Sequence, residues 1–487
     1  MSNIKKNFAY QLFYQTLISI IPFVTSPYIS RVLGADGMGV YSYTFSIITY
    51  FKIFAALGIV QYGDRVIAKA KTDQQKLNRT FTSLFILSTM LSLIVTSAYG
   101  LYWAFFVHDN ALIALIQGVN LVAGIFDINW FFFGMEQFKI TVTRNSILKI
   151  LTMIAVFVFV KEKSDLWIYV CIVAFGNFIS TSAVWYFLPR FVKFTKVTWR
   201  EIFAHLKPML VLFMAAIAVS VFSYMDKIMI GKLSEYAELG YYENAWKMIE
   251  FPVGFITALG TVMMPKLSNL VARGDKKAVD HYIYQSMRFS MVSGFAVAFG
   301  IAGIATEFAT VFWGKSFARS GLLMIIMAAA IVLMAWNGVI RAQYIIPHER
   351  DKIYVAAVCA GAGVNFVVNA ILIPKFGSAG AAVGTVMAYG AIWLVQNVNV
   401  GDALSLVRYL VESLPYAAIG LIMFLIIRVI GRAMGPTIPT LFVEVGAGAV
   451  VYIALMLLYA KIVGDDFVLG KTRQAGQIIG KKLRLTT

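Results

Sequence analysis

Charge is scarce in this sequence. Asp, Glu, Lys and Arg make up 14% of its 487 residues, against 60% hydrophobic side chains and a mean hydropathy of +0.77. A soluble domain carries about a quarter charged residues, so a water-soluble fold is excluded. Cysteine is scarcer still: Cys171 and Cys359 are the two present, and they fall in predicted spans of different halves. That excludes a disulfide framework and leaves free buried thiols as the expectation. The four histidines, His108, His205, His281 and His348, are scattered without metal-ligand spacing, so no zinc site, no other metal site and no catalytic triad is expected. Ten-residue alternating segments are missing, which excludes a transmembrane β-barrel. The tail "GDDFVLGKT" (464–472) imitates a phosphate loop, but five residues separate its glycines where four are needed and no strand precedes it. An ATP site of the chain's own is therefore not expected.

What the chain does have is long apolar runs. A bilayer core about 30 Å thick needs roughly 20 apolar residues per helix, and about fourteen such runs are present. They cover 10–30, 40–62, 81–106, 111–133, 147–161 and 166–188, then 209–231, 241–264, 289–313, 321–346, 353–373 and 379–400, with a last pair at 410–430 and 441–462. The expected fold is an all-α polytopic membrane protein. The first run follows Lys5 and Lys6 as a signal peptide would, but it is long and no small-residue cleavage site closes it, so it reads as an uncleaved helix.

A net charge of +18 suggests nucleic acid in a soluble chain, whereas in a membrane chain it is the sidedness that matters. With the N-terminus cytoplasmic, about thirty of the 42 Lys and Arg fall on that side and about ten on the other. Both termini are expected in the cytoplasm of a bacterial cell, with the protein in its plasma membrane.

An internal repeat divides the chain. "SRVLGADGMGVY" (30–41) has a partner in "DKIMIGKLSEYAELGYY" (226–242), so that Gly34 answers Gly231, and Leu57-Gly58 answers Leu259-Gly260 about 200 residues on. Six helices per unit is an even number, so the two units share an orientation. This predicts an N-terminal lobe over 1–205, a pseudo-symmetric lobe over 206–402 enclosing a central cavity with it, and an added helix pair with a basic tail over 403–487.

Several spans carry one polar stripe each. Gln11, Gln15, Ser19, Pro22 and Ser26 form one. Ser42, Ser46, Thr49 and Lys52 form the next, followed by Gln117, Asn120, Gly124 and Asp127. Further stripes are Ser220, Ser223, Tyr224 and Lys227, then Glu243, Lys247 and Glu250, then Asn337, Arg341 and Tyr344. An intramembrane charge costs about 2.5 to 3.5 kcal/mol on insertion scales, so these groups should face protein or water. The Ser, Thr and Asn positions serve equally well as glue between helices. Glu243 and Lys247 read as a mutual ion pair. Lys52 has no acid one turn away on its own helix and reads as lining a cavity. Asp127, Glu250 and Glu307 are the acids to test for coupling to H⁺ or Na⁺; no other cofactor is expected.

The blocks "PYISRVLGADGMGVYSY", "YFKIFAALGIVQYGDRVIA", "DINWFFFGMEQFKITVTRN", "MDKIMIGKL" and "NFVVNAILIPKFGSAGAAVGT" occur in order between residues 27 and 385. They resemble bacterial polysaccharide repeat-unit flippases of the Wzx type, in the multidrug/oligosaccharidyl-lipid/polysaccharide superfamily. The resemblance implies a non-enzymatic transporter. It would move a polyprenyl (undecaprenyl) pyrophosphate oligosaccharide from the cytoplasmic to the outer leaflet by alternating access, for capsule, O-antigen or exopolysaccharide. Membrane lipids, and a polysaccharide polymerase, would be its partners. The resemblance also implies a cationic cavity, and the matching positions are Arg31, Lys52, Lys227, Lys247 and Arg341. Many family members have twelve helices, so the last pair is a departure; it would bind a lipid tail, as in lipid II flippases, or only pack against a lobe. Three other readings stay open. A multidrug antiporter would want an acidic, aromatic cavity, a lipid II flippase would be essential for growth, and a glycan polymerase or ligase would want a large outer loop.

Overall fold

The computed structural model describes residues 2–401 and 403–465, and within them the side chains except those of 2–13, 15, 16, 19, 214–216, 218, 219, 221, 222 and 261. Gln11, Gln15 and Ser19 of the first polar stripe therefore fall outside the described side chains, as does most of the 464–472 segment outside the described chain.

Every regular element among the described residues is helical, as lipid demands of a chain that must pair its own backbone. In order these are α1 (Ser2–Ala56), α2 (Ile59–Ala70), α3 (Gln74–Phe106), α4 (Ala111–Ile125), α5 (Asn129–Gly134), α6 (Phe138–Phe159), α7 (Leu166–Ala183), α8 (Trp199–Phe203) and α9 (Leu206–Leu233). They continue with α10 (Tyr236–Ala272), α11 (Lys276–Phe312), α12 (Ala318–Ile340), α13 (Asp351–Phe376), α14 (Ser378–Val400), α15 (Leu406–Met434) and α16 (Ile438–Val463).

Twelve stretches among the described residues are long and apolar enough to cross a membrane. The first of them, Ile20–Ala70, bends at Gly34, whose φ of 72° and ψ of 179° no helix contains. It therefore holds two of the predicted spans, and α9 occupies the place of the seventh. The protein is an all-α, multi-pass membrane protein, as its composition predicts.

The breaks depart from the predicted spans in instructive places. The second span ends at Leu57 and Gly58, both with positive φ, and α2 beyond it is amphipathic: Ile59, Tyr62, Ile67 and Ala70 are buried while Asp64, Arg65 and Lys69 are exposed. The fourth span is interrupted at 126–128, between α4 and α5. The tenth ends in a π-helical turn, Arg341–Ile345. The sequence repeat does not extend to the backbone, since α10 runs through Gly260 unbroken where the first half turns at Gly58.

Packing divides the chain into two compact units, one running to Glu243 and including Ile373–Ser378, the other taking Asn244–Leu372 and the chain from Ala379. In the first unit an aromatic core of Phe81, Trp130, Phe131 and Phe132 joins α2, α3 and α5 to Leu188 and Met209. In the second, α11 packs against α15 and α16 through small residues: a Cβ on Gly303 or Gly448 would strike Ile427, and one on Gly420 would strike Phe299. Both cysteines are free, Cys171 half-buried and Cys359 exposed. The expectation of buried thiols fails because a helix in lipid has an apolar outer face that is no part of the protein interior.

Candidate functional site

The first unit contains a cavity of about 230 Å³ between α1, α4, α6 and α7, lined among others by Tyr14, Lys52, Asp127, Asn145, Lys149 and Asn177. Its floor is made by the interruption of α4. Asp127 Oδ1 accepts hydrogen bonds from the Asn129 backbone N–H at 3.0 Å and from Asn129 Nδ2 at 2.7 Å, which restarts the chain as α5. Two indoles hold the same turn, Trp130 Nε1 donating to the Asp127 carbonyl at 3.1 Å and Trp185 Nε1 to the Phe126 carbonyl at 2.9 Å.

A chain of amides surrounds this turn. Arg144 Nη2 donates to Asn129 Oδ1 at 2.8 Å and to Asn145 Oδ1 at 2.7 Å. Ser180 Oγ donates to Asn145 Oδ1 at 2.9 Å. On the opposite wall Asn177 Nδ2 donates to Asn120 Oδ1 at 3.0 Å, and Asn120 Nδ2 to Gln117 Oε1 at 3.0 Å. The Gln117 Nε2 and Arg144 Nη1 groups are buried without a hydrogen-bond partner among the described residues, and an unmade hydrogen bond of that kind is costly.

Charge in this cavity is lopsided. Lys52 and Lys149 line it and Arg144 stands behind Asn145, while Asp127 is the one acid among the described lining residues. Neither lysine forms an ion pair among the described residues. The cavity therefore presents an excess of positive charge at membrane depth, softened by hydroxyl and amide groups. It can hold an anion together with hydroxyl-rich neighbours.

The other candidates lie elsewhere. Lys227 Nζ meets Glu243 Oε2 at 2.7 Å, and Ser42 Oγ donates to the same oxygen at 3.1 Å. This gives Glu243 a partner 16 residues back in the chain. Arg31 is exposed in α1 just ahead of the Gly34 bend and does not line the cavity, and Asp36 is exposed beyond it. Lys247, half-buried, and Glu250, exposed, follow on α10 in the second unit. Arg341 opens the π-helical turn there, 5.6 Å from the Tyr354 ring centroid. Glu307 is paired with Arg428 at 2.8 Å. Thus Lys52 and Asp127 line one cavity together, and none of the remaining six is among its lining residues.

Two cations at the cavity were not singled out by the polar stripes: Lys149, inside the predicted span 147–161, and Arg144, ahead of it, whereas α6 begins at Phe138 and holds both. Asn145, Lys149 and Thr152 stand at i, i+4 and i+7, the same stripe that marked the other helices, so the signal was present in the sequence.

A bundle of apolar helices around a charged, amide-lined cavity defines a polytopic membrane transporter. The chain belongs to the polysaccharide biosynthesis protein family, whose sequence model matches residues 4–271, and this bears out the resemblance of the quoted blocks. Among curated relatives, a Shigella dysenteriae protein whose name proposes an O-antigen transporter is 22% identical over 75% of this chain and 91% of its own. A Haloferax volcanii protein whose name proposes a low-salt glycan biosynthesis flippase is 24% identical over 50% of this chain and 51% of its own. Among solved structures, the lipid II flippase MurJ in an inward closed conformation superposes with a TM-score of 0.75 at 14% identity, over 94% of this chain and 99% of that one. This last likeness is one of fold.

Proposed function

We propose that the protein is a flippase for a lipid-linked glycan, carrying a polyprenyl-pyrophosphate oligosaccharide from the cytoplasmic to the outer leaflet by alternating access of its two units. The observation that carries this reading is the cavity lined by Lys52 and Lys149, with Arg144 bonded to its wall residue Asn145 and Asp127 the one acid among the described lining residues. Intramembrane cations without carboxylate partners cost about 2.5 to 3.5 kcal/mol each, and a pyrophosphate would offset that cost. At an effective dielectric near 20, opposite charges 4 Å apart attract by about 4 kcal/mol. Amides and hydroxyls on the walls suit sugar hydroxyls. The relatives named for O-antigen transport and glycan flipping support the cargo class, and Arg31, Lys227, Lys247 and Arg341 would serve the same cargo along its route.

The test is reconstitution in liposomes with a labelled polyprenyl-pyrophosphate oligosaccharide, measuring its arrival in the opposite leaflet. Lys52→Gln with Lys149→Gln should slow translocation about tenfold or more, the equivalent of losing about 1.4 kcal/mol of favourable interaction with the moving anion. Unchanged translocation in the double variant sinks the reading. Efflux of organic cations by wild type, with no lipid movement, replaces it with a drug antiporter.

A further inference from the structure

The last two helices carry a charge cluster separate from that cavity. Arg428 of α15 donates Nη1 to Glu307 Oε2 at 2.8 Å and to Thr306 Oγ1 at 2.6 Å, both on α11. Across from them stands Glu444 of α16, with none of its surface exposed and neither carboxyl oxygen hydrogen-bonded among the described residues. A Cβ on Gly431 of α15 would strike both Glu444 Oε1 and the Glu307 carboxyl. The two carboxyls therefore converge on the space that glycine leaves open. The charged groups facing Glu444 are Glu307 from α11 and Arg428 from α15.

Two carboxylates beside one guanidinium leave a net negative charge in the packed interior. Burying an ionised carboxylate without a partner costs several kcal/mol, and such a group takes up a cation instead. We propose that the Glu307–Glu444 pair binds one proton, held on a carboxyl oxygen of Glu444, while Glu307 stays ionised against Arg428. The proton comes from water: Glu307 lies five residues before the end of α11, Arg428 six before the end of α15, and Glu444 six after the start of α16. At 1.5 Å per residue that depth is about 8 to 9 Å, and Arg432, exposed one turn nearer the α15 end, marks the approach. The site stands whatever cargo the transporter carries, so its failure and that of the flippase reading are read separately.

The experiment is thermal unfolding of the purified full-length protein in detergent, from mildly acidic to mildly alkaline pH, in sodium-free buffer. A folded state that holds a proton the unfolded state gives up loses stability as pH rises. Wild type should therefore lose several degrees of Tm at alkaline pH, and Glu444→Gln should remove that loss and melt above wild type there. Glu307→Gln should remove it too, because Glu444 can then ionise against Arg428. A fall of equal size in wild type and Glu444→Gln, or no fall in wild type, overturns the proposal. Recovery of the alkaline Tm by added Na⁺ at constant pH overturns it in favour of a metal cation.

Discussion

His205 ties three parts of the first unit together through one imidazole. Its Nδ1 lies 2.8 Å from the Tyr62 hydroxyl and its Nε2 3.0 Å from Ser83 Oγ, so neutral imidazole is satisfied at both nitrogens. Burial pushes this imidazole below its ordinary value. The unfolded chain then binds a proton that the folded one refuses, and stability present above the ordinary histidine range near pH 6.5 is lost as pH falls. The Tm of wild type should accordingly decline on the acid side. His205→Asn, which cannot charge, should flatten that limb at some cost to stability at neutral pH. An unchanged acid limb in the variant would remove His205 from the account. The sign is opposite to that of the Glu307–Glu444 pair, so the two groups oppose each other between the ordinary carboxylate and histidine ranges, and the single variants separate them. Singly, residues such as His205 were hidden from sequence reading, because a lone histidine between helices has no spacing that marks its partners. Lys52 was legible for the opposite reason, since an acid-free turn on an apolar helix is itself a signal. Lys227 and Glu243 were legible as charges but not as a pair, because the turn between α9 and α10 brings them together.

Helices in this protein meet where side chains are absent. A Cβ on Gly39 of α1 would overlap the Tyr236 carbonyl at the start of α10, and one on Gly240 would overlap the Ala35 carbonyl in return. Backbone cannot yield as a flexible side chain does. Gly39→Ala and Gly240→Ala should each cost about 1 to 3 kcal/mol through forced separation of the two helices, seen as a lower Tm. Gly363→Ala in α13, where nothing lies within 4 Å, should be neutral or slightly stabilising. Equal effects at all three positions would mean that the α1–α10 contact is not as close as described. The repeat "GADGMGVY" and "SEYAELGYY" showed these glycines to be equivalent without showing that they face one another, since contact is a property of two segments and periodicity of one. Span existence was legible for the same reason, each run being sufficient by its own length and hydropathy. The interruptions at Gly58 and Asp127 were not, because apolar residues continue past both and only side-chain capping by Asp127 and the positive φ of Gly58 reveal the stop. The late predicted start of the fifth span left Arg144 outside it, whereas α6 carries it.

For the whole molecule, the number of crossings and the charge of the turns make one joint claim. An even count would return the chain to the side where it began, and the excess of Lys and Arg in the basic turns after α2, α7 and α10 predicts that side to be the cytoplasm. In a variant with Cys171 and Cys359 changed to Ser, Asp109→Cys in the turn between α3 and α4 should react with a membrane-impermeant maleimide in intact cells. Lys277→Cys at the start of α11 should react only after the membrane is opened. The reverse pattern would invert the protein. The orientation would also decide what the buried acid pair does, for alternation of the predicted spans would put the ends of α11 and α15 that flank Glu307, Arg428 and Glu444 on the side predicted for Asp109. A proton reaching Glu444 would then enter from the outer face, the side an energised bacterial membrane keeps richer in protons. If Lys277→Cys were the residue labelled in intact cells, the same cluster would instead sample the cytoplasm, and its proton would report internal pH rather than draw on the gradient.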